Sequence, residues 1–203
     1  MKIKVCGIFR DEDIEYVNEG QPDYIGFVFA ASRRQLSPEQ ASRLRQKLES
    51  GIVPVGVFVN APAVEIAALY RDGIISIAQL HGGEDMEYIK QLKELCGIPV
   101  IKTIRVEKTA NCSSIVPDYY LIDPGAGGGR AFDWNILEPQ KIARPWFLAG
   151  GINQNNIEAA MVLEPFCIDV SSGAETAGVK DRKKILQLTG AVKQHGLKGS
   201  KHE

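Results

Sequence analysis

Eight short apolar runs recur along the chain, each ending in polar or glycine residues. They are Ile3 to Cys6, Tyr24 to Phe29, Val53 to Val59, Ile74 to Leu80, Pro99 to Ile104, Tyr119 to Asp123, Trp146 to Ala149, and Cys167 to Val170. Most are continuous rather than alternating, the pattern of strands covered on both faces. Helix-like stretches lie between them. Ser37-Pro38-Glu39-Gln40 has the order of an N-cap, a proline at the first helical position and a Gln at the capping-box position, with Ala41, Leu44 and Leu48 following on one face. Ile89, Leu92 and Leu95 form a similar stripe after Glu84-Asp85, acidic residues that suit a helix start. Ile157, Ala160 and Met161 mark another helix, and Ile185, Leu188 and Val192 the last. The connections Lys108 to Val116 and Asn135 to Ala143 read poorly as helices, the first for its Asn111, Ser113 and Ser114, the second for its Pro139.

Alternation of strand and helix eight times over predicts an α/β fold, a single-domain (β/α)8 TIM barrel with a parallel eight-stranded sheet and irregular crossovers after strands five and six. The competing architecture is an open doubly wound sheet. Its dinucleotide-binding version needs GxGxxG after the first strand, and Gly7-Ile8-Phe9-Arg10 does not match. The barrel is expected over residues 1–195, with Gly196 to Glu203 a polar tail expected to fray.

At 203 residues with 44% hydrophobic content, the chain can bury one substantial core. A net charge of −1 and a pI near 6.3 give no electrostatic reason to expect nucleic acid or an anionic membrane as partner. Met1 enters a strand-like run directly, without a signal peptide's n- and h-regions, and no apolar run approaches the roughly 18 residues of a membrane span. Cys6, Cys96, Cys112 and Cys167 are scattered, with no CxxC pair and no His at metal-ligand spacing. Reduced thiols in a cytoplasm are therefore expected, with no metal site.

In such a barrel, function collects where the strands end. Those ends offer Cys6, Ser32-Arg33-Arg34, Asn60, Gln79 with His81, Arg105, Asp123, Gly150-Gly151 and Ser171-Ser172-Gly173. The loops after strands seven and eight are built of small residues, so backbone N–H groups can approach an anion, and together they point to phosphate. Taken singly, each could be an ordinary turn that needs glycine. Cys6 sits where its strand opens into a loop, with Lys4 two residues earlier on the same side, an ammonium that would favour the thiolate. Cys96 and Cys167 read as small apolar fillers. Asp123 ends strand six, three strands from Cys6 around the ring, and a glycine-rich loop, Ala126 to Arg130, follows it. An acid and a base facing one ligand suit proton transfer between two of its atoms; Asp123 could instead cap its own turn at Gly125. Arg34 could grip a carboxylate with a bidentate fork or be a solvated loop arginine. Asp169 could be structural or hold the phosphate loop.

The residues that carry a family resemblance come in order: Lys4-Val5-Cys6-Gly7, Gly26-Phe27-Val28-Phe29 with Ser32 and Arg34, Gly56 to Asn60, and Gln79-Leu80-His81-Gly82. Leu121-Ile122-Asp123, Phe132-Asp133-Trp134, Leu148 to Gly151, and Asp169 to Gly173 with Glu175 and Lys180-Asp181 follow. From Ile3 to about Asp181 this set resembles the phosphoribosylanthranilate isomerases of tryptophan biosynthesis. The resemblance implies a cofactor-free Amadori rearrangement of N-(5′-phosphoribosyl)anthranilate to 1-(2-carboxyphenylamino)-1-deoxyribulose 5-phosphate. It assigns Asp123 as general acid and Cys6 as general base, with Arg34 near the anthranilate carboxylate. Gly150, Gly151, Ser172 and Gly173 would hold the phosphate, and His81 would line the substrate site. The implied partner is a phosphorylated small molecule, and the implied assembly a monomer or homodimer. The chain departs from the family pattern at Arg33, where proline is common, and at Ala126-Gly127-Gly128-Gly129, where a hydroxyl residue is usual. Two other readings compete. A histidine-pathway isomerase resembles a doubled half-barrel with a carboxylate base on strand one, whereas this chain has Cys6 there and no visible half-repeat. A non-catalytic phosphosugar-binding barrel would have no chemical need for both Cys6 and Asp123.

Overall fold

The computed structural model describes residues 1–105, 117–123, 137, 142 and 144–199. Its strands are β1 (Lys2–Cys6), β2 (Tyr24–Val28), β3 (Val53–Phe58), β4 (Ile77–Leu80), β5 (Val100–Arg105), β6 (Tyr119–Asp123), β7 (Trp146–Leu148) and β8 (Cys167–Val170). Each pairs in parallel with its sequence neighbours, and β1 pairs with β8, with Lys2 opposite Cys167 and Lys4 opposite Asp169, so the sheet closes into a ring. The expected (β/α)8 barrel is the observed fold. Parallel strands need crossovers, and the right-handed βαβ unit wraps them as helices around the outside. Among the described residues these are α1 (Asp11–Gly20), α2 (Pro38–Lys47), α3 (Ala63–Arg71), α4 (Met86–Cys96), α5 (Ile157–Val162) and α6 (Arg182–Gly199). A 3₁₀ turn at Ser172–Ala174 and a two-stranded ribbon, β9 (Glu175–Thr176) with β10 (Val179–Lys180), stand between β8 and α6.

Helix α2 starts as its sequence dictates. Ser37 accepts from the backbone of Gln40, whose side chain accepts from the backbone of Ser37, and Pro38 occupies the first helical position. At α4 the two acidic residues divide. Asp85 is the N-cap, accepting from the Tyr88 backbone at 2.9 Å, while Glu84 turns inward and is buried. Helices α1 and α3 stand where the apolar pattern singles out none. Helix α1 shows only Ile14 and Val17 as buried apolar side chains, too short a stripe to read, and it is fixed by Asp13, which binds the side chain and backbone of Arg10. Helix α3 buries two alanines, Ala63 and Ala67, beside Ile66 and Leu69. Strand β4 begins three residues after its apolar run, because Ile74 and Ile75 pack into the turn beneath it. Helix α6 continues to Gly199, past the point where the tail is expected to begin. Of the two crossovers expected to be irregular, Lys108 to Val116 lies outside the described residues and Asn135 to Ala143 lies outside them but for Leu137 and Ile142.

Two apolar layers result. One lies between strands and helices, from Ile3 and Val5 to Ile185 and Leu188. The other fills the lower barrel, where Tyr24, Val55, Ile77, Leu121, Phe147 and Cys167 meet. Cys167 is the small apolar filler expected of it. Tyr119 stacks on Phe166 and meets Phe147 edge-on across the base, with Lys2 over the Tyr24 and Phe166 rings. Among the described residues, no helix is long and apolar enough to cross a membrane.

Candidate active site

Above that apolar plug, the barrel interior turns polar. Lys4 points inward from β1 and is fully buried, its ammonium 2.8 Å from Gln79 Oε1 of β4 and 2.9 Å from Asp169 Oδ2 of β8. Cys6 lies one layer higher on the same strand, where its ionised form favours the Lys4 charge. Burying an unpaired ammonium would cost several kcal/mol. Here these partners hold its charge, and its pKa is raised. Asp169 is thus the counter-ion of Lys4, the structural one of its two expected roles.

Cys6 ends β1 beside Gly26 of β2, where any Cβ would lie 2.6 Å from its sulfur. Only glycine leaves the thiol room. The expectation that Lys4 favours a thiolate is half right. Lys4 and Lys180 do pull the pKa of Cys6 down, but burial outweighs them and, with Asp169 adding to it, leaves the thiol above its ordinary value. Desolvation penalises a thiolate more than two nearby cations repay.

Asp123 ends β6, on the opposite side of the ring from Cys6, with its side chain partly exposed. His81, just past β4, brings Nε2 to 3.5 Å from Asp123 Oδ2. Its other ring nitrogen meets Gln79 Nε2 at 3.2 Å and Thr103 Oγ1 at 3.1 Å. Burial holds the His81 pKa below its ordinary value despite Asp123, so the ring is neutral near pH 7. Asp169, Lys4, Gln79, His81 and Asp123 therefore form a continuous polar chain across the mouth. Capping of the turn at Gly125 and the loop Ala126 to Arg130 lie outside the described residues, as do Cys112, Phe132-Asp133-Trp134 and the side chain of Arg105.

Arg34 is not a solvated loop arginine. It lies across Gly7 and sets Nε and Nη2 at 2.7 and 2.8 Å from the two carboxylate oxygens of Glu175. Arg33, more exposed, reaches the same carboxylate at 2.6 Å. Lys180 completes the cluster, 2.7 Å from Glu175 and 3.0 Å from the carbonyl of Ser171. The fork expected to meet a substrate carboxylate is thus engaged by one of the protein's own. The sequence pattern contained Glu175 and Lys180 but attached no role to them, because the Arg34 that Glu175 grips, and through it the cluster, lies 141 residues away.

A cavity of about 310 Å³ opens between the loops after β7 and β8, lined by Gly151, Asn153, Gln154, Asn155, Ser172, Gly173 and Lys184. Gly150 and Gly151 turn there with φ of +100° and +65°. At Gly173 a Cβ would sit 1.9 Å from the carbonyl oxygen of Ile152, so the two loops touch through a position only glycine can hold. Three of the four residues expected at a phosphate line one cavity, and Gly150 adjoins it. Nothing in the pattern pointed to Lys184, which adds a cation. Among the described residues, no cluster of His, Cys, Asp or Glu could hold a metal ion.

The sequence model of the N-(5′-phosphoribosyl)anthranilate (PRA) isomerase family matches residues 3–191. An N-(5′-phosphoribosyl)anthranilate isomerase of Endomicrobium trichonymphae is 45% identical over 192 residues, covering 92% of this chain and 95% of its own. The crystal structure of phosphoribosyl anthranilate isomerase from Thermus thermophilus superposes with a TM-score of 0.85 at 32% identity, covering 96% of this chain and 100% of that one. A phosphoribosyl anthranilate isomerase in complex with reduced 1-(o-carboxyphenylamino)-1-deoxyribulose 5-phosphate superposes at 0.82 with 32% identity, covering 96% of this chain and 99% of that one.

Proposed function

Because this chain belongs to the N-(5′-phosphoribosyl)anthranilate isomerase family, we propose that it isomerises N-(5′-phosphoribosyl)anthranilate to 1-(2-carboxyphenylamino)-1-deoxyribulose 5-phosphate, a cytoplasmic step of tryptophan biosynthesis, with Asp123 as acid and Cys6 as base. One observation carries the assignment. Cys6 and Asp123 end strands on opposite sides of the ring, and a cavity suited to phosphate lies between β7 and β8 at the same end of the barrel. A phosphorylated ligand anchored there extends its reacting carbons over the mouth, between the thiol and the carboxyl group.

Asp123 gives its proton to the ribose ring oxygen as the C1′–O bond breaks, leaving a Schiff base cation at C1′. That cation acidifies the C2′ proton, which passes to the Cys6 thiolate as the electron pair moves into a C1′–C2′ double bond. The enolamine so formed tautomerises to the aminoketose. One proton enters and one leaves, and the electrons shift only within the substrate. A thiol with a raised pKa is the stronger base once ionised, and Lys4 and Lys180 are placed to steady it. The backbone N–H groups of the Gly150-Gly151 and Ser172-Gly173 loops, with Lys184, hold the phosphate. Arg34, braced by Glu175, faces the anthranilate carboxylate, and His81 lines the pocket beside Asp123.

The test is turnover of phosphoribosylanthranilate generated in situ by native protein, Cys6→Ala and Asp123→Asn, each checked for folding. Native turnover with losses of about 10²-fold or more in both variants is the expected result. Binding without conversion by the native protein would instead make the chain a phosphosugar sensor.

A further inference from the structure

Lys4 fixes more than a charge. An ammonium only donates, so the Gln79 atom 2.8 Å from it is the carbonyl Oε1. The amide nitrogen of Gln79 therefore faces the other way, 3.2 Å from His81 Nδ1. That nitrogen also only donates, so Nδ1 must accept. The Thr103 hydroxyl, 3.1 Å from Nδ1, can donate to it as well. A neutral imidazole that accepts at Nδ1 carries its proton at Nε2, the atom 3.5 Å from Asp123 Oδ2. Gln79 is 2% exposed, so solvent does not scramble this order.

We propose that Gln79 is a positioning residue for the isomerisation: oriented by Lys4, it locks His81 in the Nε2–H tautomer and so aims a hydrogen-bond donor at Asp123. The proposal rests on the reading of Asp123 as the acid. Its chemical consequence is specific. Once Asp123 has given up its proton, the donor on His81 steadies the carboxylate left behind, which eases proton transfer to the ring oxygen. A neutral ring is required, since a charged one carries a proton on both nitrogens and would set Nδ1–H against the Gln79 amide N–H. Asp123 of β6 and Asp169 of β8 favour the charge, Lys4 of β1 and Lys102 of β5 oppose it, and burial keeps the ring neutral. Thr103 of β5 and Gln79 of β4 are its uncharged neighbours.

The experiment is ¹⁵N NMR of protein labelled at histidine, without substrate, with His81→Asn assigning the signals by their loss. The native protein at pH 7 is expected to show a protonated Nε2 and a bare Nδ1 at His81. Gln79→Glu keeps the shape but sets an oxygen against Nδ1. It is expected to bring a proton there, raise the His81 titration by at least about one pH unit, and lower kcat about tenfold with KM changed less than about twofold. In a His81→Asn background the same substitution is expected to cost less than about twofold. An Nδ1–H tautomer in the native protein overturns the proposal, as does a Gln79→Glu variant with unaltered titration. Equal losses of kcat in both backgrounds also overturn it, since Gln79 would then act through Lys4 and Cys6. The tautomer is read without turnover. A protein with the expected tautomer that never converts phosphoribosylanthranilate would therefore defeat the acid–base reading and not the tautomer.

Discussion

A base drawn from a buried thiol faces two opposed demands, since the rarer its ionised form, the more strongly that form takes a proton. Burial raises the pKa of Cys6 above its ordinary value of 9.0. Below that pKa the thiolate fraction grows tenfold per pH unit. The expected outcome is a thiolate absorbance at about 240 nm, read as native minus Cys6→Ala, that climbs with pH through 8 and beyond, and a difference already complete at pH 7 would overturn the dominance of burial at Cys6. Gly173 makes a separate prediction. Its absent Cβ would meet the Ile152 carbonyl at 1.9 Å, a backbone contact that cannot rotate away. Gly173→Ala is expected to raise KM about tenfold or more and to cost about 1–3 kcal/mol in urea unfolding, the price of overpacking. Cys6 and Asp123 were legible as single residues because each ends an apolar run. The protonation of His81 was not, because it is set by Lys4 through Gln79, 75 residues further along the chain.

Elements were legible where local chemistry decides them. The Ser37 capping box lies within four residues, and Ser37→Ala is expected to lower stability by about 1 kcal/mol, measured by the urea midpoint. Helix α1 was not legible, since its start depends on Asp13 binding back to Arg10 and its end on Gln21 taking a left-handed conformation. Glu84 shows the same limit more sharply. Read as a helix-start acid, it instead accepts from the backbones of Asn60 at 2.7 Å and Gly82 at 2.9 Å and pairs with Lys102 at 2.8 Å. One carboxylate thereby joins the loops after β3 and β4 to β5. Glu84→Ala would leave the Lys102 charge buried and unpaired, and a loss of about 3–5 kcal/mol is expected in denaturant unfolding.

At the scale of the whole molecule, the buried charges set how the fold responds to acid. The carboxyls of Glu84 and Glu175 are held below their ordinary pKa, chiefly by hydrogen bonds to Lys102 and to Arg34 and Lys180 that overcome burial. His81 is held below its ordinary 6.5 by burial. In each case the unfolded chain takes up protons first as pH falls. Stability is therefore expected to decline from about pH 6.5 downward and more steeply below about 4.5, traced by urea midpoints at pH 7, 5.5 and 4. Eight recurring runs made the ring legible, because every neighbouring pair of strands but one is consecutive in sequence. The exception is the seam between β1 and β8, where Lys4 meets Asp169. That seam has a meaning in time as well as in space. The first strand made waits for the last, and a ribosome adding roughly 5–20 residues per second needs on the order of ten seconds or more to supply it. Throughout that interval β1 has an open edge and Lys4 lacks its counter-ion. Ring closure and the first appearance of a working centre are then one event, reserved for a chain synthesised through β8.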